Sequence, residues 1–175
     1  MLMSERKFMK KMCLLGDAAV GKTSLIRRYV YDIFDDKYIV TFGAKVTTKK
    51  LSVAAAEEEL DLTLIIWDIL GQRVHDTLHA GHYKGAKGAL IVCDLTRNET
   101  IQATEIWADK LTEVVGSVPI ILLGNKSDLE HGDAEELLGS IAEKRNMQYM
   151  LTSAKSGLNV EKAFMSISES MLKGS

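Results

Sequence analysis

The sequence predicts an α/β fold: a mostly parallel sheet with helices on both faces. Two observations carry this. Short apolar runs of strand length alternate with helical patterns along the whole chain. Two neighbouring strand candidates, residues 45–53 and 60–67, are separated only by Ala54-Ala55-Ala56-Glu57-Glu58-Glu59. That link is too short for a parallel crossover, so this pair is expected to form an antiparallel hairpin, with the acidic triplet as a solvated turn.

In chain order, residues 8–15 read as the first strand, followed by a glycine-containing loop and a helical stretch over 22–30. The hairpin strands come next. Further strands are expected at 88–93, 120–123 and 148–151, and helices at 99–114, 134–145 and 160–172. In the last helix Val160, Ala163, Phe164, Ile167 and Met171 share one face, and Asn159 is placed to act as its N-cap. Pro119, the one proline, opens a strand, where its missing N–H does least harm. No repeat or linker divides the 175 residues, so one domain spanning 1–175 is expected.

Composition narrows the function by exclusion. Apolar residues make up 46% of the chain and charged residues 26%, as in soluble globular proteins. A formal net charge of -2 and a pI near 6.1 argue against a nucleic-acid-binding surface. No apolar run reaches membrane-spanning length, and the opening MLMSERKFMKK lacks the apolar core of a signal peptide. Cys13 and Cys93 lie inside apolar runs and read as small buried hydrophobes in a cytoplasmic chain.

Gly16-Asp17-Ala18-Ala19-Val20-Gly21-Lys22-Thr23 matches G-x-x-x-x-G-K-[ST], between a predicted strand and a predicted helix. Glycines let such a loop aim consecutive backbone N–H groups at phosphate oxygens, at the positive end of the following helix. Lys22 would meet the β- and γ-phosphates, and the Thr23 hydroxyl would ligate Mg²⁺. Asp68 ends the strand-like run 62–67, where a carboxylate would serve the metal directly or through water. Gly71 follows, then Gln72, whose amide can orient an attacking water. Thr41, between the first helix and the second strand, offers the metal a second hydroxyl.

Asn125-Lys126-Ser127-Asp128 directly follows the predicted strand 120–123. A carboxylate at Asp128 suits guanine, which offers two donors on one edge, N1–H and the 2-amino group. Adenine would leave that charge unpaired, at a cost of several kcal/mol. The Lys126 stem can lie along the ring, and in Ser153-Ala154-Lys155 the Ala154 N–H can meet the guanine O6.

With these residues the chain resembles the Ras superfamily, and within it most the Rab family, from about Lys7 to Leu172. Five motifs stand in the family's order: GDAAVGKT, the first-switch segment Tyr38-Ile39-Val40-Thr41, WDILGQ, NKSD and SAK. Thr41-Phe42-Gly43 and Tyr83-Lys84-Gly85-Ala86-Lys87-Gly88 are Rab-like as well. The resemblance implies a three-layer P-loop GTPase fold, with six strands, one of them antiparallel, and five helices. It implies GTP/GDP and Mg²⁺ as ligands. Lys22, Thr41 and Gln72 would be catalytic, and Thr23, Thr41 and Asp68 would hold the metal. The nucleotide would also meet Asp17, Ala18, Ala19, Val20, Gly21, Ser24, Phe34 at the edge of guanine, Tyr38, Gly71, Asn125, Leu129, Ser153, Ala154 and Lys155. Backbone N–H groups of Thr41 and Gly71 would hold the switches on the γ-phosphate. Effectors, exchange factors and GTPase-activating proteins would be the partners of a monomeric, cytoplasmic protein, peripheral at a membrane through those partners.

Where the family has Asp-Thr-Ala-Gly-Gln, this chain has Asp68-Ile69-Leu70-Gly71-Gln72, and Arg73 replaces the usual Glu. The hairpin is longer than the Rab pattern. No cysteine lies near the C-terminus and Leu2 excludes myristoylation, so no lipid anchor is expected on this chain, which would be either cut short of a lipidated tail or a lipid-free relative such as some archaeal or bacterial members of the superfamily. His75, His79 and His82 have helical spacing but no fourth ligand, and read as polar residues of the second switch rather than as a metal site. A GTPase switch is the leading expectation, and a GTP-holding module without useful turnover the alternative, because of Leu70. A P-loop kinase is disfavoured, since NKSD and SAK serve guanine and no arginine-rich lid is visible.

Overall fold

A computed structural model describes residues 6–35, 43–71 and 76–174. Strands β1 (Lys7–Leu15), β2 (Ala44–Ala55), β3 (Glu58–Ile69), β4 (Ala86–Asp94), β5 (Ile120–Asn125) and β6 (Gln148–Leu151) form one sheet in the order β2-β3-β1-β4-β5-β6. Among the described residues only β2 and β3 pair antiparallel, and every other neighbouring pair is parallel. Helices α1 (Lys22–Tyr31), α2 (Asp76–Tyr83), α3 (Asn98–Val115), α4 (Ala134–Lys144) and α5 (Val160–Lys173) are the helices of the described residues. This is the mixed six-stranded, five-helix architecture expected of a Ras-like P-loop GTPase.

Alternation along the central strands divides the core into two. On β1, Met12 and Leu14 face one cluster, and Cys13 and Leu15 the other. On β4, Leu90 and Val92 point one way, and Ala89, Ile91 and Cys93 the other. Both faces are covered, so these strands read as continuous apolar runs rather than as alternation. One cluster lies under α1 and α5, where Tyr29 stacks on Phe164 at 4.1 Å between ring centroids. The second lies under α3 and α4 around Trp107 and Leu138. Both cysteines are free and buried, and burial pushes each thiol up to about 12, so they behave as small apolar side chains.

Two local expectations are corrected. The hairpin link is not a six-residue acidic loop. Pairing continues to Ala55 opposite Glu58, which leaves only Ala56-Glu57 as the turn, with Ala56 at φ 56°. Ladder hydrogen bonds outweigh the poor strand propensity of Ala and Glu there. Asn159 does precede α5, but its side chain does not cap the helix. The residue adopts φ 55°, and its Nδ2 donates instead to Leu151 O at 2.9 Å, tying the end of β6 to the start of α5.

Candidate functional site

Parallel pairing brings the C-terminal ends of β1, β3, β4 and β5 to one edge, where Leu14 lies opposite Asp68 and Asp94 opposite Asn125. In doubly wound sheets this edge is where ligands bind. The loop 16–21 leaves β1 here and enters α1. Gly21 sits at φ 103°, and a Cβ on it would lie 2.3 Å from Asn125 Nδ2, so only glycine fits this junction of the two motifs.

Lys22, 6% exposed, folds back over the loop and donates to Gly16 O at 2.8 Å and Asp17 O at 2.9 Å. Burial lowers its ammonium to about 8, against the opposing pull of Asp68 and Asp17; the Arg97 charge lowers it further. Such a buried cation, held by two carbonyls, is well suited to a polyphosphate. The Thr23 hydroxyl donates to Asp68 Oδ2 at 2.5 Å. One hydroxyl and one buried carboxylate meeting at the mouth of the loop make an all-oxygen donor set, which fits a hard cation such as Mg²⁺. Val20 is buried in the α1/α5 core, Ala19 holds φ 63°, and Ser24 is half-buried in the first turn of α1. Gly71 packs on the same loop: a Cβ there would lie 2.5 Å from Ala18 N. Before it, Leu70 N donates to Gly43 O at 2.8 Å, and the Leu70 side chain is half-buried.

The second motif is fastened to the first. Asn125, buried, donates from Nδ2 to Val20 O at 2.9 Å and accepts from the Thr152 hydroxyl at 3.2 Å. Lys126, at φ 63°, reaches Ala19 O at 3.0 Å. The Ser153 hydroxyl donates to Asp128 Oδ1 at 2.7 Å and accepts from Ser156 N at 3.0 Å. Ala154 is buried and Lys155 exposed, while Leu129 is exposed beside Asp128 and Phe34 packs on the α1/α5 core. Tyr38, Thr41 and Gln72 lie outside the described residues, as does His75.

Three contributors had no place among the predicted site residues. Arg28 on α1 donates from Nε to Ala154 O at 2.7 Å and from Nη2 to Lys155 O, and pairs with Asp32 at 3.1 Å. Its partners lie 126 and 127 residues away in sequence, so no local pattern points to it. Trp107 is fully buried in α3 and donates from Nε1 to Asp17 Oδ1 at 2.9 Å. A buried indole N–H needs an acceptor, which was a usable signal. Arg97, just before α3, donates from Nη2 to Ala18 O at 2.9 Å.

The Ras family model matches residues 11–173 of this chain. The chain is 34% identical to the Ypt/Rab-type GTPase avaA of Emericella nidulans, over 97% of this chain and 85% of that protein. Against Ras-related protein Rab-7a of Dictyostelium discoideum it is 33% identical, over 97% and 86%. Against Ras-related protein Rab-21 of Bos taurus it is 34% identical, over 96% and 75%.

Proposed function

The chain belongs to the Ras family, on its Rab-like side, and from that premise we propose that it is a GTP-binding switch that hydrolyses GTP to GDP and phosphate with Mg²⁺. One observation carries the assignment to guanine nucleotides. Asn125 and Lys126 grip consecutive carbonyls of the phosphate loop, at Val20 and Ala19, so the loop bearing Asp128 and the phosphate loop make one continuous site.

In this reading Asp128, held by Ser153, accepts from the guanine N1–H and 2-amino groups. Phe34, Leu129, Lys126, Ala154 and Lys155 border the base, and Arg28 sets the path of the 154–155 backbone. Asp17, Ala18, Ala19, Val20, Gly21 and Ser24 surround the phosphates, and Lys22 neutralises charge that builds on the β- and γ-oxygens. Thr23, Asp68 and Thr41 would hold Mg²⁺, which supplies further neutralisation of that charge when bound. Tyr38, Thr41 and Gly71 approach the γ-phosphate side, and Gln72 orients the attacking water. Loss of the γ-phosphate would release the first-switch segment Tyr38-Ile39-Val40-Thr41 and the second switch at Gly71-Gln72, the surfaces that effectors, exchange factors and GTPase-activating proteins would read. The protein would act as a monomer in the cytoplasm, reaching membranes through those partners.

A second reading, a GTP-holding module with negligible hydrolysis, is favoured by Leu70. Its backbone is held by Gly43 on one side and leads into Gly71 packed against Ala18 on the other, so a branched side chain stands where the family has a methyl. Single-turnover hydrolysis of GTP by the wild type and by Leu70→Ala separates the two. Hydrolysis by the wild type at a Ras-like rate supports the switch. Hydrolysis only in Leu70→Ala supports the module.

A further inference from the structure

Asp94 ends β4 and is 1% exposed, yet its carboxylate gathers four donors. Lys126 Nζ stands 2.8 Å from Oδ2 and Arg97 Nε 3.1 Å from the same oxygen, while Thr96 N at 2.9 Å and Thr96 Oγ1 at 2.6 Å serve Oδ1. Burial alone would push this carboxyl up, but the hydrogen bonds from Lys126 and Thr96 together outweigh it and hold it below its ordinary value. The two cations each continue to the phosphate loop: Arg97 Nη2 to Ala18 O at 2.9 Å, and Lys126 Nζ to Ala19 O at 3.0 Å. One buried charge therefore orients two side chains that grip successive carbonyls of the same loop.

The consequence follows from peptide geometry. In a trans peptide the C=O and the next N–H point in opposite directions. Pinning Ala18 O toward Arg97 aims the Ala19 N–H away from it, and pinning Ala19 O toward Lys126 does the same for the Val20 N–H. Those N–H groups belong to the stretch that would cradle phosphate. A carboxylate serving only to start α3 would need neither contact, because Thr100 already bridges Asp94 N and Asp94 O at 2.9 and 3.1 Å.

We propose that Asp94 is a positioning residue for phosphate binding: through Arg97 and Lys126 it fixes the peptide planes of Ala18 and Ala19, so that the strength of the phosphate contacts depends on a side chain that touches no phosphate. This rests on the guanine-nucleotide reading of the site.

The test uses the full chain with Mg²⁺ and compares affinity for GDP and for GMP, which lacks the β-phosphate. Asp94→Asn keeps the shape and removes the charge. It should weaken GDP roughly 10- to 100-fold and GMP no more than about threefold. Arg97→Gln, at a side chain that is 37% exposed, should weaken GDP about 3- to 10-fold, again with little effect on GMP. In the Asp94→Asn background the Arg97 substitution should add less than about twofold, because its orienting partner is already gone. Equal losses for GDP and GMP mean a merely structural role and overturn the proposal, as do fully additive effects or unchanged GDP affinity. If Asp94→Asn does not fold, an Arg97→Gln protein with an unchanged GDP-to-GMP ratio overturns it alone. A wild type that binds neither nucleotide overturns the guanine reading itself together with this proposal. A wild type that binds GDP while the variants keep its ratio overturns only the role of Asp94.

Discussion

The hydroxyl of Ser153 lies 2.7 Å from Asp128 Oδ1, joining two motifs 25 residues apart at the proposed base site. An acceptor-only carboxylate held this way suits an edge with two donors. GTP should therefore be preferred over ATP by a factor on the order of 10⁴ or more, with inosine triphosphate between them. Asp128→Asn turns a donor toward the 2-position and should invert the preference from GTP to XTP. Competition titrations with the four nucleotides check this; an Asp128→Asn protein that still chose GTP over XTP would place the guanine-reading group elsewhere.

Burial lowers the Lys22 ammonium to about 8, which would make binding at the proposed phosphate site pH-dependent. Phosphate binds the ammonium form, so affinity for GDP should be level below pH 8 and fall about tenfold per unit above it. The same group affects the nucleotide-free fold with the opposite sign. Between about pH 8 and 10.5 the unfolded chain holds a proton that folded Lys22 lacks, so this group's contribution to stability rises with pH across that window. Fluorescent-GDP titrations from pH 7 to 9.5 read the first effect. Lys22→Arg, which stays charged, should bind more weakly but without the fall above pH 8; a fall retained in that variant would assign the titration to another group.

Intrinsic turnover should be slow, on the order of 10⁻⁴ to 10⁻³ s⁻¹, because no arginine lies between Arg28 and Arg73 to serve the first switch in cis. Gln72→Leu should slow it further, and an arginine from a partner should accelerate it. A purified wild type exceeding about 10⁻² s⁻¹ would refute this, with Arg73 and Arg97 the side chains to remove first.

The bond from Trp107 Nε1 to Asp17 Oδ1 spans 90 residues and pins α3 to the phosphate loop. Trp107→Phe keeps an aromatic ring in the core but takes a hydrogen bond from a charged acceptor. A loss of about 1.5–3 kcal/mol is expected, measured by urea unfolding of the GDP-bound protein. Trp107→Leu, which also removes ring volume, should cost more. Equal stabilities for wild type and Trp107→Phe would show that the carboxylate finds an equivalent partner.

The order of the strands and of four helices was legible because its signals are local; α2 (Asp76–Tyr83) was expected only as the fifth helix that the family resemblance implies. Apolar runs on β1, β4 and β5 face cores on both sides, and α5 carries its apolar stripe at helical spacing. The phosphate loop and the NKSD segment were legible for a different reason. Their chemistry needs glycine, lysine, hydroxyl and carboxylate groups at close spacing, and close spacing survives in a linear string.

The contacts that cross between those segments exist only in the folded chain. Arg28 meets Ala154 and Lys155, Trp107 meets Asp17, and Asp94 gathers Arg97 and Lys126 behind the phosphate loop. Folding also decides the tight Ala56-Glu57 turn and the left-handed Asn159, where ladder pairing and the bond to Leu151 O override local preference. A side-chain hydrogen bond depends on distance in space, and parallel strands joined by helices bring together residues that are far apart in sequence. Residue order is therefore enough to say which groups this protein carries at the strand ends. Which of them touch was settled by the register of the sheet, a sum of many weak contacts that no single motif records.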